Sequence, residues 1–364
     1  MYINWPHYYI PKFNGLCSFL VNPIFIFIIF TDKRLQLGNY RCLLLYFAIF
    51  NMTCSACDIL VPVCVHDHRY AFSVFTSDGL FEKYSEINQF ILAFRCSFIS
   101  ATYAILHAHF VYRFMRICNN VTAYSNKFLA KYFLPYGMIA SIVYCLFHMV
   151  YWIVACFYFI GADRERKLYM RETIQEVYGL DSLDINMIIA LYRLQEGSYD
   201  AVQKSLIGVV SITFLSVDSV IIYFILGLLI MKRLGSNTLI MSKKTKKLQA
   251  QLMKALIVQS VIPTVVSFAP CIFSWYQPVF GIELGRFVIS RLTVRITLFG
   301  NCRSVYHSAA IAVSAFPFLD PLAILFFVPT FRQRLKEEIS RILLLRNLTK
   351  RCNPTAETVS SRVP

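Results

Sequence analysis

Hydrophobic and polar positions along this chain segregate into long blocks rather than alternating with the period of a surface helix or strand. Seven apolar stretches occupy approximately Tyr8–Phe30, Cys42–Val65, Asn88–Tyr112, Phe133–Ile160, Ser205–Met231, Ala255–Tyr276 and Ser304–Val328. A helix rises about 1.5 Å per residue, so each block is long enough to cross a hydrocarbon core of roughly 30 Å. Soluble helices of this length would carry a polar stripe. The pattern predicts an all-α membrane protein, a bundle of seven transmembrane helices. The longest interruption, Gly161–Lys204, leaves little room for a separate soluble domain. Residues 1–347 are therefore read as one membrane domain, with 348–364 as a tail. After the last span, Phe331–Asn347 intersperses Arg332, Arg334, Lys336 and Arg341 with Leu335, Ile339, Ile342 and Leu343. That spacing predicts a short amphipathic helix lying along a bilayer surface.

Composition agrees: 15% of residues are charged, against about 25% in soluble domains. The placement of charge adds more. A net charge of +16 suggests a nucleic-acid partner until the residues are located. Thr31–Arg41, Arg113–Tyr132, Lys232–Lys254 and Pro329–Pro364 carry 22 basic against 4 acidic residues, whereas the other side carries 13 of each, counting Lys12 at the outer end of the first stretch. The whole excess sits on one face, as the positive-inside rule requires of a cytoplasmic face. The expected protein lies in the plasma membrane with its N-terminus outside and its C-terminus inside; its partner is the lipid bilayer and not nucleic acid. Met1–His7 lacks a basic start, so the first apolar run is expected to be an uncleaved span. Asn51-Met-Thr lies in a span, and Asn120-Val-Thr and Asn347-Leu-Thr lie on the basic side, so none is expected to carry a glycan.

Ionisable groups at membrane depth are costly and ask for a partner or a role. Arg95 is about two turns into the third span, Asp58 mid-depth in the second and Asp218 near the middle of the fifth. Arg95 could meet either acid; the two readings are a ligand cavity containing Arg95 and Asp218, or a structural ion pair. His107 and His109 are two apart on a helix and point to different sides, so they cannot chelate one ion. Cys54 and Cys57 share a face, but in a span they read as packing residues before a metal or redox pair. His66-Asp-His68 falls in an outer loop and reads as loop before metal site. No phosphate loop, zinc-protease or nucleophile-elbow motif is present, which argues against an enzyme, and no cofactor or metal is expected. Of the prolines, Pro263 and Pro270 in the sixth span stand out, either as a hinge or as a plain bend. Lys243, Lys244, Lys246 and Lys247 lead into that span without an acid and suit either anionic lipid or a protein partner. Cys352 is a candidate for palmitoylation. Gly161–Lys204 contains no cysteine, so Cys96, early in the third span, has no partner in that loop, and Cys302 is the one cysteine clearly in an outer loop.

Several motifs narrow the reading. Gly38-Asn-Tyr-Arg41 with the run Leu43–Asn51, His68-Arg-Tyr-Ala-Phe72, Arg95-Cys-Ser-Phe-Ile-Ser100, His109-Phe-Val-Tyr-Arg113, Leu248–Leu256 and Pro317-Phe-Leu-Asp-Pro321 together resemble nematode serpentine chemoreceptors. The resemblance is to the Str superfamily, most closely serpentine receptor class J, and it covers nearly the whole chain. It implies an olfactory-type G-protein-coupled receptor of sensory neuron cilia, which binds a small, often volatile molecule and activates a heterotrimeric G protein. By the same resemblance Tyr112 and Arg113 stand where better-known receptors carry an acid-Arg-Tyr switch. Asp320 and Pro321 stand in place of their seventh-helix Asn-Pro pair. No acid precedes Arg113, so an intrahelical lock is not implied, and a generic membrane-edge charge is the other reading of Arg113.

One segment departs from the pattern. Residues 288–305, with Arg286, place four arginines in an outer loop otherwise balanced in charge. It reads as an atypical insertion, either a misplaced exon boundary or a genuine basic loop. Two other function classes fit the chain less well. A seven-span ligand-gated channel needs an inside N-terminus, which the charge count opposes. A transporter would show internal repeats or an ion relay, and neither is visible.

Overall fold

The computed structural model describes residues 5–31, 40–76, 79–118, 136–193, 198–236, 243–280 and 303–352. Five helices are each long and apolar enough to cross a membrane: α1 (Trp5–Thr31), α2 (Tyr40–Leu60), α3 (Glu86–Cys118), α4 (Met138–Val154, extended by a π turn at Ala155–Phe159) and, numbered after the loop helix α5 (Arg164–Tyr178), α6 (Tyr199–Gly235). The sixth span comprises α7 (Lys243–Pro263), a π turn at Thr264–Phe268 and α8 (Ala269–Tyr276). The seventh is α9 (Arg303–Phe327), followed by α10 (Pro329–Cys352). Phe13 and Leu20 of α1, Phe147 of α4, and Phe214 and Phe224 of α6 lie exposed. In water such a band would be untenable; it is the lipid-facing surface of the bundle.

The breaks have identifiable causes. Pro263 and Pro270 bracket the π turn of the sixth span, where missing N–H groups leave the ladder underwound. In α9, Pro321 has no N–H to give the Pro317 carbonyl one turn back. Asn22 of α1 supplies that donor at 3.1 Å, and Ser18 reaches the same oxygen at 3.5 Å. Asn14 donates to Ser314 at 2.9 Å. Asn14, Ser18 and Asn22 are spaced by four, so one face of α1 fastens the proline-broken helix. Between α9 and α10 the axis turns by 97°, which lays the amphipathic helix across the bundle end as expected.

The charge-balanced end departs from the expectation of plain loops. The second apolar stretch stops being helical at Leu60, because Pro62 cannot donate to the ladder. Its last residues begin a strand instead. The β-branched alternation Val63-Cys64-Val65-His66 is a half-buried strand pattern. Strands β1 (Val63–His68) and β2 (Ala71–Thr76) form a hairpin, and β3 (Met187–Leu191) joins β2, all antiparallel. Val65, Val74 and Ile188 line up across it. The interruption read as Gly161–Lys204 thus contains both α5 and β3. Asp163 caps α5 by accepting from the Arg166 N–H at 2.8 Å, and Gly179 ends it at φ 71°, a left-handed conformation that glycine adopts without strain. One face of the sheet packs on Met170 and Ile174 of α5 through Phe75, Ile189 and Leu191. The other, with Val63, Val65, Phe72, Val74 and Ile188, closes the end of the helix bundle. The helices also run past the predicted stretches: α3 begins at Glu86 and α7 at Lys243. Of the atypical segment 288–305, all but the last three residues lie outside the described residues.

Candidate functional site

Beneath the sheet the bundle forms a cavity of about 810 Å³, counted as all non-atom space with open solvent included. Its roof is Val63, Val65, Phe72, Val74 and Ile188. Its walls are Arg95, Cys96 and Ile99 from α3, Trp152, Cys156 and Ile160 from α4 and its end, Val209 and Ile212 from α6, Cys271, Ser274 and Trp275 from α8, and Val313 from α9. Trp152 and Trp275 face one another with ring centres 5.9 Å apart. Gly208 brings α6 against the π turn of α4; a Cβ there would sit 2.8 Å from Phe159 Cβ and 2.9 Å from Ile160 Cγ2. A mostly apolar chamber with few polar groups is the usual form of a small-molecule site.

The structure brings Arg95 to Asp58 and not to Asp218. Arg95 and Asp58 form an ion pair with both side chains almost wholly buried, so the guanidinium in the cavity wall is already neutralised. Asp218 is exposed on α6 and does not line the cavity; its near neighbours are Tyr144 and His148 of α4. His107 and His109 do face different ways. His107 meets Tyr144 (3.0 Å) and the Ser219 carbonyl (3.3 Å), whereas His109 meets the Tyr40 hydroxyl (2.9 Å).

The roof is anchored by polar groups that sequence reasoning missed. Gln89, in the first turn of α3, pairs with Met187 of β3 through both ends of its amide. Asn186 is wholly buried; its amide donates to the Phe81 and Lys83 carbonyls at 2.8 and 2.7 Å. Cys96 is a free thiol, so these bonds, and not a disulfide, hold the roof to α3. Arg166 bridges Gly161 and Ala201, 2.7 Å to each carbonyl, tying α5 between α4 and α6. Lys167 donates to the Ile185 carbonyl at 2.9 Å and lies 3.7 Å over the Tyr84 ring. Burial brings its ammonium pKa down to about 8.

At the opposite, basic end, Arg113 of α3 is 2% exposed. Its Nη1 donates to Gln249 Oε1 of α7 at 2.8 Å, and its guanidinium lies 3.8 Å over the Tyr40 ring of α2. Tyr40 also stacks on Tyr112, with ring centres 5.2 Å apart. Arg113 is thus a buried junction of three helices and not a membrane-edge charge. No acid takes part; the partner is an amide and an aromatic face. Lys243 and Lys244 open α7, with Lys246 and Lys247 a turn before Gln249. Asp320 of α9 is wholly buried, and neither carboxylate oxygen has a hydrogen-bond partner; Pro321 follows it at the break held by Asn22.

A family model described as serpentine type 7TM GPCR chemoreceptor Srj matches residues 1–335. The sequence is 36% identical to serpentine receptor class J-38 of Caenorhabditis elegans, over 91% of this chain and 93% of that one. It is 24% identical to serpentine receptor class r-10 of Caenorhabditis briggsae, over 87% of this chain and 85% of that one. Among solved structures, squid rhodopsin superposes with a TM-score of 0.54 at 13% identity, covering 98% of this chain and 92% of that one. At that identity the likeness concerns the fold.

Proposed function

The chain belongs to the Srj family of serpentine-type seven-transmembrane GPCR chemoreceptors, and from that membership we propose that it binds a small external chemical in the cavity under the sheet and activates a heterotrimeric G protein at its basic end. On this reading the sheet end and the N-terminus face outward from the plasma membrane of a sensory neuron, at its cilia. The C-terminal end lies in the cytoplasm, where the excess basic charge is favoured. Arg95, held by Asp58, is the polar mark in the ligand cavity. Tyr112, Arg113, Asp320 and Pro321 belong to the switch, and Lys243, Lys244, Lys246 and Lys247 to the G-protein face. Asp218 would act from the α4–α6 side, through Tyr144 and His148, and not as a cavity wall.

The observation that carries the proposal is the pairing of an apolar cavity at one end with a buried α3–α7 junction at the other. A ligand that alters the packing of α8 against α4 acts on the same broken span whose far end holds Gln249. Any such effect must come from a difference in ligand affinity between two arrangements of that span. The test is a G-protein-dependent reporter in cells challenged with a panel of volatile chemicals, with Arg113→Ala alongside. The wild type should respond and the variant should be silent at normal surface level. Full coupling by Arg113→Ala would remove the residue from the switch, and a ligand-evoked current in cells without G-protein signalling would favour a ligand-gated channel.

A further inference from the structure

The roof of the cavity carries one acid that nothing satisfies. Along β1, Val63 and Val65 face the cavity, while His66 and His68 turn to the other face, where they meet Tyr178 and Tyr169 of α5 and its end. Strand alternation therefore turns Asp67 toward the cavity side. Its cross-strand partner is Phe72, which lines the cavity. Both Asp67 carboxylate oxygens are closed off from solvent, and neither accepts a hydrogen bond. Burial alone, with no cation in opposition, pushes the carboxyl well above the usual carboxylate range. Tyr192, just past β3, lies within electrostatic range of Asp67, and its buried hydroxyl also has no hydrogen-bond partner.

An isolated buried carboxylate costs several kcal/mol unless a cation or donors meet it. The charge that lines the cavity, Arg95, is already spent on Asp58. The sheet therefore holds one unneutralised acid and an idle hydroxyl directly behind the lining residues of an apolar chamber, Asp67 beside Phe72. Among the described residues that line the cavity an anionic ligand would find no free cation, and a plain hydrocarbon would leave both groups unmet. We propose that this cavity selects small amphipathic amines, whose ammonium pairs with Asp67 and Tyr192 while the hydrocarbon part fills the space beneath the sheet. This rests on the reading of the cavity as the ligand site and gives that ligand a chemical class. The ammonium donates to one Asp67 oxygen and to the Tyr192 oxygen, and the alkyl or aryl group packs on Phe72 and Val74.

The probes are hexylamine, 1-hexanol and hexanoic acid, which match in length and differ in head group. With purified full-length receptor in lipid nanodiscs at neutral pH, hexylamine should raise Tm at concentrations where the alcohol and the acid do not. Asp67→Asn should weaken the amine at least about tenfold, the size of a lost hydrogen bond to a charged group. Its unliganded Tm should be unchanged or higher, because a buried acid has been removed. Tyr192→Phe should weaken the amine by a smaller factor. Equal amine binding by Asp67→Asn, or stabilisation by the acid in preference to the amine, overturns the assignment. The readout is independent of signalling. Amine binding lost in Asp67→Asn with no G-protein response would keep the site and sink the receptor proposal. Signalling to neutral odorants that is indifferent to Asp67 would do the reverse.

Discussion

At the sheet end, the cavity walls are mostly hydrocarbon, and the groups that hold them, Gln89, Asn186 and Arg166, bond to backbone carbonyls and amides around the rim. At the basic end three helices converge on one guanidinium held by an amide and an aromatic ring. The first arrangement is rigid at its edge and empty at its centre, suited to admitting a ligand. The second centres on a bond that joins two helices through a single neutral acceptor. Breaking that bond frees α7 from α3 without leaving a second charge buried. On the proposed function, recognition belongs to the cavity end and switching to the junction.

The largest effect should come from the one strong charge pair in the cavity wall. Asp58→Asn leaves Arg95 buried and unpaired and is expected to cost about 3–5 kcal/mol, which would remove most receptor from the cell surface. Replacing both partners by Leu and Met should restore surface receptor while shifting ligand response. Failure of the double variant to reach the surface would mean that the pair does more than neutralise itself. A smaller effect separates the two ends. Gln249→Leu should raise ligand-independent signalling by roughly tenfold, the worth of one hydrogen bond to a charged group, with ligand potency little changed beyond that bias. Val74→Trp, which fills the cavity, should lower ligand potency by a similar factor with basal signalling intact. If either variant moves both readouts equally, the ends are not separable. The smallest effect concerns the rim. Lys167 titrates near 8 when folded and near 10.5 when unfolded, so the folded state holds fewer protons between those values. Stability should therefore rise as pH climbs from neutral through 8 toward 10.5, by about 1–2 °C in Tm. Lys167→Met should lose that part of the pH dependence.

Much of the bundle was legible because burial in lipid is a local property. Each stretch declares its length, and Pro263 and Pro270 declare the break in the sixth span. The roof was concealed because Val61, Val63 and Val65 abut an apolar span and count as its last turn unless Pro62 is weighed more heavily. Their alternation with Cys64, His66 and His68 was the available signal. Gln249 carried no signal of its own: it is an uncharged residue within Leu248–Leu256, and only the approach of α7 to α3 gives it a partner. Arg95 announced itself by charge, but its choice of Asp58 over Asp218 depends on which way α6 is turned.

The sequence by itself therefore determined the spans, the face that bears the positive charge and the motifs of the family, since each depends on composition or spacing within a short segment. Only the tertiary structure decided the partners: Asp58 for Arg95, Gln249 and Tyr40 for Arg113, Asn22 for the carbonyl that Pro321 leaves free, and none for Asp67. Pairing depends on the rotation and depth of whole helices and on strand register, and these are set by packing across the entire bundle.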